Sequence, residues 1–143
     1  MKEKTASRSD RIAIEPDMHP LYEQLSKGVD PEEVPFAELK DVFMMAACLG
    51  YARGKRKPLS GRRDIIRWET FSRDTDVPVL YAMAIANEND VQVLDQGFDF
   101  LTIIEEYANA GIHALQAKLL QQRGKPLWNL VDLIQGEIKE QTK

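Results

Sequence analysis

Between Phe98 and about Gln122 the chain sets Phe100, Ile103, Ile104, Tyr107, Ala108, Gly111, Ile112, Leu115 and Leu119 at i, i+3, i+4 spacing. That pattern predicts a long helix with one unbroken apolar stripe. Gly111 lies inside the stripe, where glycine costs about 1 kcal/mol relative to alanine. A close helix crossing at that point would offset the cost. A second helix is expected to begin near Phe36. There Phe36, Leu39, Phe43, Ala46, Ala47 and Gly50 follow helical spacing, and from Val42 to Leu49 every residue is apolar. A helix that is hydrophobic all round is buried all round, so Met44, Met45 and Cys48 are expected to face neighbours or a partner subunit. Gly50 is the expected stop.

Shorter signals fill in the rest. Asp17 as N-cap and Gly28 just past the end predict a helix over about 18–27, with Leu21, Tyr22 and Leu25 inward and Pro20 in its first turn. Asp76 as cap, with Pro78 just inside, predicts a helix over 77–86 that turns Leu80, Tyr81, Ala84 and Ile85 inward and ends at Asn87–Asp90. Gly124 closes the long helix. Pro126 opens a fifth, with Leu127, Leu130, Val131, Ile134 and Ile138 as its inner face. The expected fold is mainly α, a compact bundle of about five helices, with room for a minor short β element near 64–70 and 90–94. The expected organisation is a flexible N-terminal tail over 1–12 and a single helical domain over 13–140.

At 143 residues the chain is long enough for one core without a metal or disulfide staple. Its one cysteine excludes an internal disulfide framework and fits a reducing cytoplasm. No apolar run reaches the ~20 residues that span a bilayer, and the basic residues of the N-terminus have no apolar stretch behind them, so no secretory signal and no membrane role is expected.

Catalytic signatures are scarce. His19, His113 and Cys48 are too few for a Cys/His zinc site. His113 falls off the apolar stripe and is expected as a solvated surface histidine. His19 sits in a first helical turn and is given no catalytic role. Cys48 lies in an apolar run, where a structural thiol is expected. The stretch Gly50–Lys55 resembles a phosphate-binding loop only in outline: three residues separate its glycines where four are needed, Arg56 stands where Ser or Thr would hold magnesium, and a helix precedes it instead of a strand. Glu38 and Lys40 fall on a helix, not on the strand a metal-dependent nuclease needs. Glu105 and Glu106 point in different directions on theirs and make no ready acid–base pair. No enzyme, cofactor or metal is expected.

Charge is the remaining signal. The net charge is −4, yet Arg53, Lys55, Arg56, Lys57, Arg62, Arg63 and Arg67 fall within fifteen positions against one acid, Asp64. The remainder is an acidic body. Such asymmetry orients a molecule on a polyanion, and these seven are the candidate contacts to DNA phosphates or to an acidic protein surface. A solvated loop with salt bridges to the acidic body accounts for them equally. Trp68 and Phe71 are close enough to stack on bases, though their spacing favours the core. No motif for sequence-specific recognition is present. Met44, Met45 and Trp128 are the candidate partner interface.

The segments "PLYEQL", "FAELKDVFMMAACLGYARGKRKPL", "IRWETF", "LYAMAIANENDVQVL" and "IIEEYANAGI" resemble the family called DNA phosphorothioation-associated protein four, over roughly residues 11–122. The blocks from Phe36 to Leu59 and from Glu105 to Ile112 carry most of the resemblance. It implies a bacterial protein of gene clusters linked to sulfur modification of the DNA backbone and to phage defence. The role implied is a non-enzymatic accessory subunit beside larger ATPase or nuclease components. Double-stranded DNA is a further contact left open. The alternative is a protein-only bridging subunit of an SMC-like or ABC-type ATPase complex. The resemblance brings no catalytic residue set, and it leaves the oligomeric state open.

Overall fold

Alanine and glycine recur on facing sides of two apolar helices, and this determines how the chain packs. The computed structural model describes residues 9–95 and 97–142. Helix α2, Leu39–Ala52, crosses helix α4, Leu101–Leu115, at a contact that no larger residue would permit. A Cβ added to Gly50 would land on the backbone carbonyl of Tyr107, and one added to Gly111 would land on that of Ala46. The expected crossing at Gly111 is therefore present. Gly50, read from sequence as the stop, is its counterpart: α2 continues to Ala52, because the glycine is there for proximity and not for termination. The start of α2 also differs, at Leu39 instead of Phe36. Asp41 reaches back to accept the Glu38 N–H at 3.1 Å, which places the cap at Glu38.

Helix α1, His19–Ser26, follows a 3-10 turn over Pro16–Met18 that absorbs Asp17, the expected cap. Helix α3, Asp76–Glu88, ends on Asn89 in the left-handed region, a conformation asparagine tolerates. Helix α5, Pro126–Gln141, carries its proline in the first turn. The nine stripe positions from Phe100 to Leu119 are all buried. A π-helical turn over Gln116–Leu120 carries the stripe past the end of α4.

The β element near 64–70 is strand β2, Arg63–Arg67. Its partner is strand β1, Arg11–Ile14, paired antiparallel with Ile12 opposite Ile66 and a register shift after Ile12. Residues 1–8 of the expected tail lie outside the described residues; Arg11 and Ile12 are in the strand, with Ile12 fully buried. The segment at 91–95 is a 3-10 turn and not a strand. A two-stranded ribbon is marginal alone; here it rests on α4. The fold is mainly α: among the described residues there are five helices and a small two-stranded sheet. None of the helices is long and apolar enough to cross a membrane, among the described residues.

The two kinds of glycine predict opposite responses. Gly111→Ala is expected to lower stability by about 1–3 kcal/mol, because a backbone carbonyl cannot step aside as a side chain can. Gly136 lies in α5 with open space around it, so Gly136→Ala is expected to raise stability by up to about 1 kcal/mol. Urea denaturation midpoints compare them. Stabilisation of the chain by both changes would contradict the crossing.

Candidate interaction surfaces

The polar side of α4 carries Glu105, Asn109 and His113 at four-residue spacing, one row beside the apolar stripe. This row organises the basic segment. Asn109 is buried, and its Nδ2 lies 3.1 Å from the carbonyl of Lys57, 3.2 Å from that of Pro58 and 3.1 Å from Glu15 Oε2. The Lys57 N–H donates to the carbonyl of Glu106 at 3.0 Å. The Ser60 N–H donates to Glu15 Oε2 at 2.8 Å. His113 Nε2 lies 3.1 Å from Glu15 Oε1, so it is not the solvated surface histidine expected from sequence. The segment after α2 is laid along α4 and held there by main-chain contacts.

Four of the seven basic side chains meet the protein's own carboxylates. Arg53 pairs with Glu137 at 2.8 Å. Arg56 donates to Glu106 at 2.9 Å and to Asn87 at 3.1 Å, with its guanidinium 5.8 Å from the centre of the Tyr107 ring. Arg62 reaches Glu105 at 3.1 Å, and Arg67 pairs with Glu69 at 3.1 Å on the open surface. Glu105 is only 2% exposed and also accepts the Ala13 N–H at 2.7 Å. A buried carboxylate needs such partners, because an unpaired charge there is strongly disfavoured. Glu105 and Glu106 thus serve different arginines and do not form an acid–base pair. Lys55, Lys57 and Arg63 are exposed, and their side chains make no ion pair among the described residues. The seven candidates therefore divide into four that pair internally and three that are exposed and make no ion pair among the described residues.

Met44 and Met45 are half-buried on α2, and Trp128 is 54% exposed on α5. They do not form one surface. Trp128 donates its indole N–H to Glu32 Oε2 at 3.0 Å. Met45 instead lines a groove of about 310 Å³ between α2 and α5, with Cys48, Leu49, Ala52, Leu133, Ile134 and Ile138. Ile138, expected on the inner face of α5, is 57% exposed, and Leu133 is buried in its place. On the other side of Cys48 a second apolar recess of about 260 Å³ is walled by Tyr51, Val79, Ala82 and Met83. Burial pushes the Cys48 thiol up, with a smaller contribution from the Asp76 charge. That keeps it protonated, as expected of a structural cysteine.

Glu15 and Asn109 were not among the residues picked out from sequence. The recurrence of Glu105, Asn109 and His113 every fourth position was the available sign that one helix edge is polar and occupied. Among the described residues no group of three or more His, Cys, Asp or Glu side chains is placed to hold a metal.

Burial alone would push the Glu15 carboxyl up; hydrogen bonds from Ser60, Asn109 and His113 outweigh it and hold the carboxyl below its ordinary value of 4.5. A depressed folded value means that the contribution is complete above pH 4.5 and fades as pH falls through the folded value. Glu15→Gln is expected to cost about 1–3 kcal/mol near neutral pH. The gap to wild type should narrow as pH falls below 4.5, as the native carboxyl takes up a proton. Denaturant titrations at a series of pH values measure this, and a pH-independent gap would contradict it.

No curated protein and no solved structure matches the chain. A family model does, over residues 11–143. The resemblance drawn from "FAELKDVFMMAACLGYARGKRKPL" and "IIEEYANAGI" is borne out by that match, and the chain belongs to the family described as DNA sulphur modification system-associated protein 4.

Proposed function

We propose that this chain is a non-enzymatic accessory subunit of a bacterial defence complex linked to DNA sulphur modification, and that it docks on a larger protein component of that system. The observation that carries this reading is the uncovered apolar surface around Cys48, where Met45, Ala52, Ile134 and Ile138 line one side and Tyr51, Val79 and Met83 the other. Soluble proteins seldom leave contiguous apolar surface open without a use for it. Among the described residues lining the α2–α5 groove, Glu137 is the one charged side chain, and it is already paired with Arg53. A largely apolar trough between two helices complements the apolar face of an amphipathic helix, read as anchors at i, i+3, i+4 and i+7. The occupant we assign is such a helix, supplied by the ATPase or nuclease component.

A second reading keeps the DNA backbone as a contact. Lys55, Lys57 and Arg63, which make no ion pair among the described residues, support it. They supply charge without sequence preference, and three phosphate contacts on duplex DNA would give a salt slope of roughly −2.7.

Two variants separate these readings when the chain is co-expressed with the larger proteins encoded beside it. Met45→Glu is expected to abolish co-purification, and the assembled complex is expected to protect Cys48 from a maleimide. Reversal of Lys55, Lys57 and Arg63 together is expected to leave assembly intact. Assembly lost with the triple reversal and kept with Met45→Glu would overturn the docking assignment. Salt-sensitive retention of duplex DNA that vanishes with the reversal would establish the second reading.

A further inference from the structure

The end of β2 leads into a 3-10 turn over Trp68–Thr70 that brings one ring to the centre of an aromatic cluster. Trp68 lies 5.7 Å from Phe71, 5.9 Å from Tyr81, 6.2 Å from Phe98 and 5.4 Å from Phe100, between ring centres. Phe71 and Phe100 are buried and belong to the core. Trp68, Tyr81 and Phe98 are only half-buried, because beyond them lies a cleft of about 330 Å³. Val77 and Tyr81, one turn apart on α3, form part of its wall, and Asp10, Glu69 and Arg73 complete the lining. A cleft of that volume is at the small end of those that hold ligands.

The polar groups of this cleft differ from those of a packed core. The Trp68 N–H donates to the carbonyl of Asp10 at 2.8 Å, which fixes Asp10 beside the rings. Glu69 is engaged by Arg67. The Asp10 carboxylate makes no ion pair among the described residues, and the indole N–H of Trp68 has no hydrogen-bond partner among them. Aromatic walls with a carboxylate at the edge are complementary to a cation. The ring faces carry negative quadrupole charge, and a planar guanidinium both stacks on them and offers a fork of donors to a carboxylate.

We propose that this cleft is a recognition site for a cationic side chain, an arginine, presented by a peptide segment of a partner protein. The guanidinium stacks against the rings of Trp68 and Tyr81 and donates to Asp10, while the indole N–H is available to a carbonyl of the same peptide. A nucleobase would find the same stacking surface, but it brings a phosphate towards the Asp10 carboxylate, which favours the cation; Arg73 in the lining works against a cation and is the side chain whose removal should strengthen its binding. The site shares no residue with the surface around Cys48. On α3, Val77 and Tyr81 face one way and Val79 and Met83 the other, so the two sites stand or fall separately.

Nitrogen–proton correlation spectra of the full chain test this directly, since Trp68 and Trp128 are its two tryptophans. Trp128→Phe assigns the Trp68 indole signal. The probes are acetyl-Gly-Arg-Gly-amide, the same peptide with neutral citrulline, and deoxyadenosine monophosphate. The Trp68 signal is expected to move saturably with the arginine peptide and far less with the other two. Asp10→Asn is expected to weaken the arginine response by roughly fivefold to tenfold. Arg73→Glu, which needs no change at Asp10, is expected to strengthen it. Equal responses to arginine and citrulline, a stronger response to the nucleotide, no response up to tens of millimolar, or weakening by Arg73→Glu would each overturn the proposal.

Discussion

The contact between α2 and α4 is the constraint from which the other features follow. Two backbones approach so closely that Gly50 meets the carbonyl of Tyr107 and Gly111 meets that of Ala46. Small residues at Ala46, Ala47 and Ala108 keep the same interface thin. Dense packing along such a seam leaves no room for a residue to be added on either side. The crossing therefore fixes where α2 ends, at Ala52, and where the chain must go next. That position is beside the polar edge of α4, where Glu105, Asn109 and, through Glu15, His113 receive it.

This geometry changes the meaning of the charge pattern. In sequence, seven cations in fifteen positions read as a patch turned towards a polyanion. In the fold, a buried helix delivers the segment to a place where Glu105, Glu106 and Glu137 take up Arg62, Arg56 and Arg53. The arginines hold the segment down more than they advertise it, and the Asn109 bonds to the Lys57 and Pro58 carbonyls add a hold that does not depend on charge. What remains open on the outside is of two kinds. There are three cations that make no ion pair among the described residues, and there is an apolar surface around Cys48 that α3 and α5 flank but do not close.

Much of the fold was legible in the residues. The stripe from Phe100 to Leu119 was complete because a helix with one buried face imposes a strict period, and Gly111 signalled the crossing because a glycine there has a cost that only proximity offsets. Gly50 was misread, since a glycine near the end of an apolar run fits a stop and a close approach equally well, and only the partner helix distinguishes them. Strand β1 was missed because the four residues of Arg11–Ile14 have no period long enough to read, and their partner lies some fifty positions away. The candidate surfaces were less legible still. Which arginine meets which glutamate is decided by pairs such as Arg62 and Glu105, 43 positions apart. The open face of α5 could not be read from its apolar positions, because Ile138 fits the inner-face period and is nevertheless uncovered.

The basic segment is fastened to α4 and is not a free arm. Amide hydrogen exchange of the isolated protein tests it most directly. The Lys57 and Ser60 amides, donated to the Glu106 carbonyl and to Glu15, should exchange with protection comparable to amides inside α4 and lose it together when Asn109 is replaced by alanine. Exchange at both amides as fast as in an unstructured peptide would contradict the account.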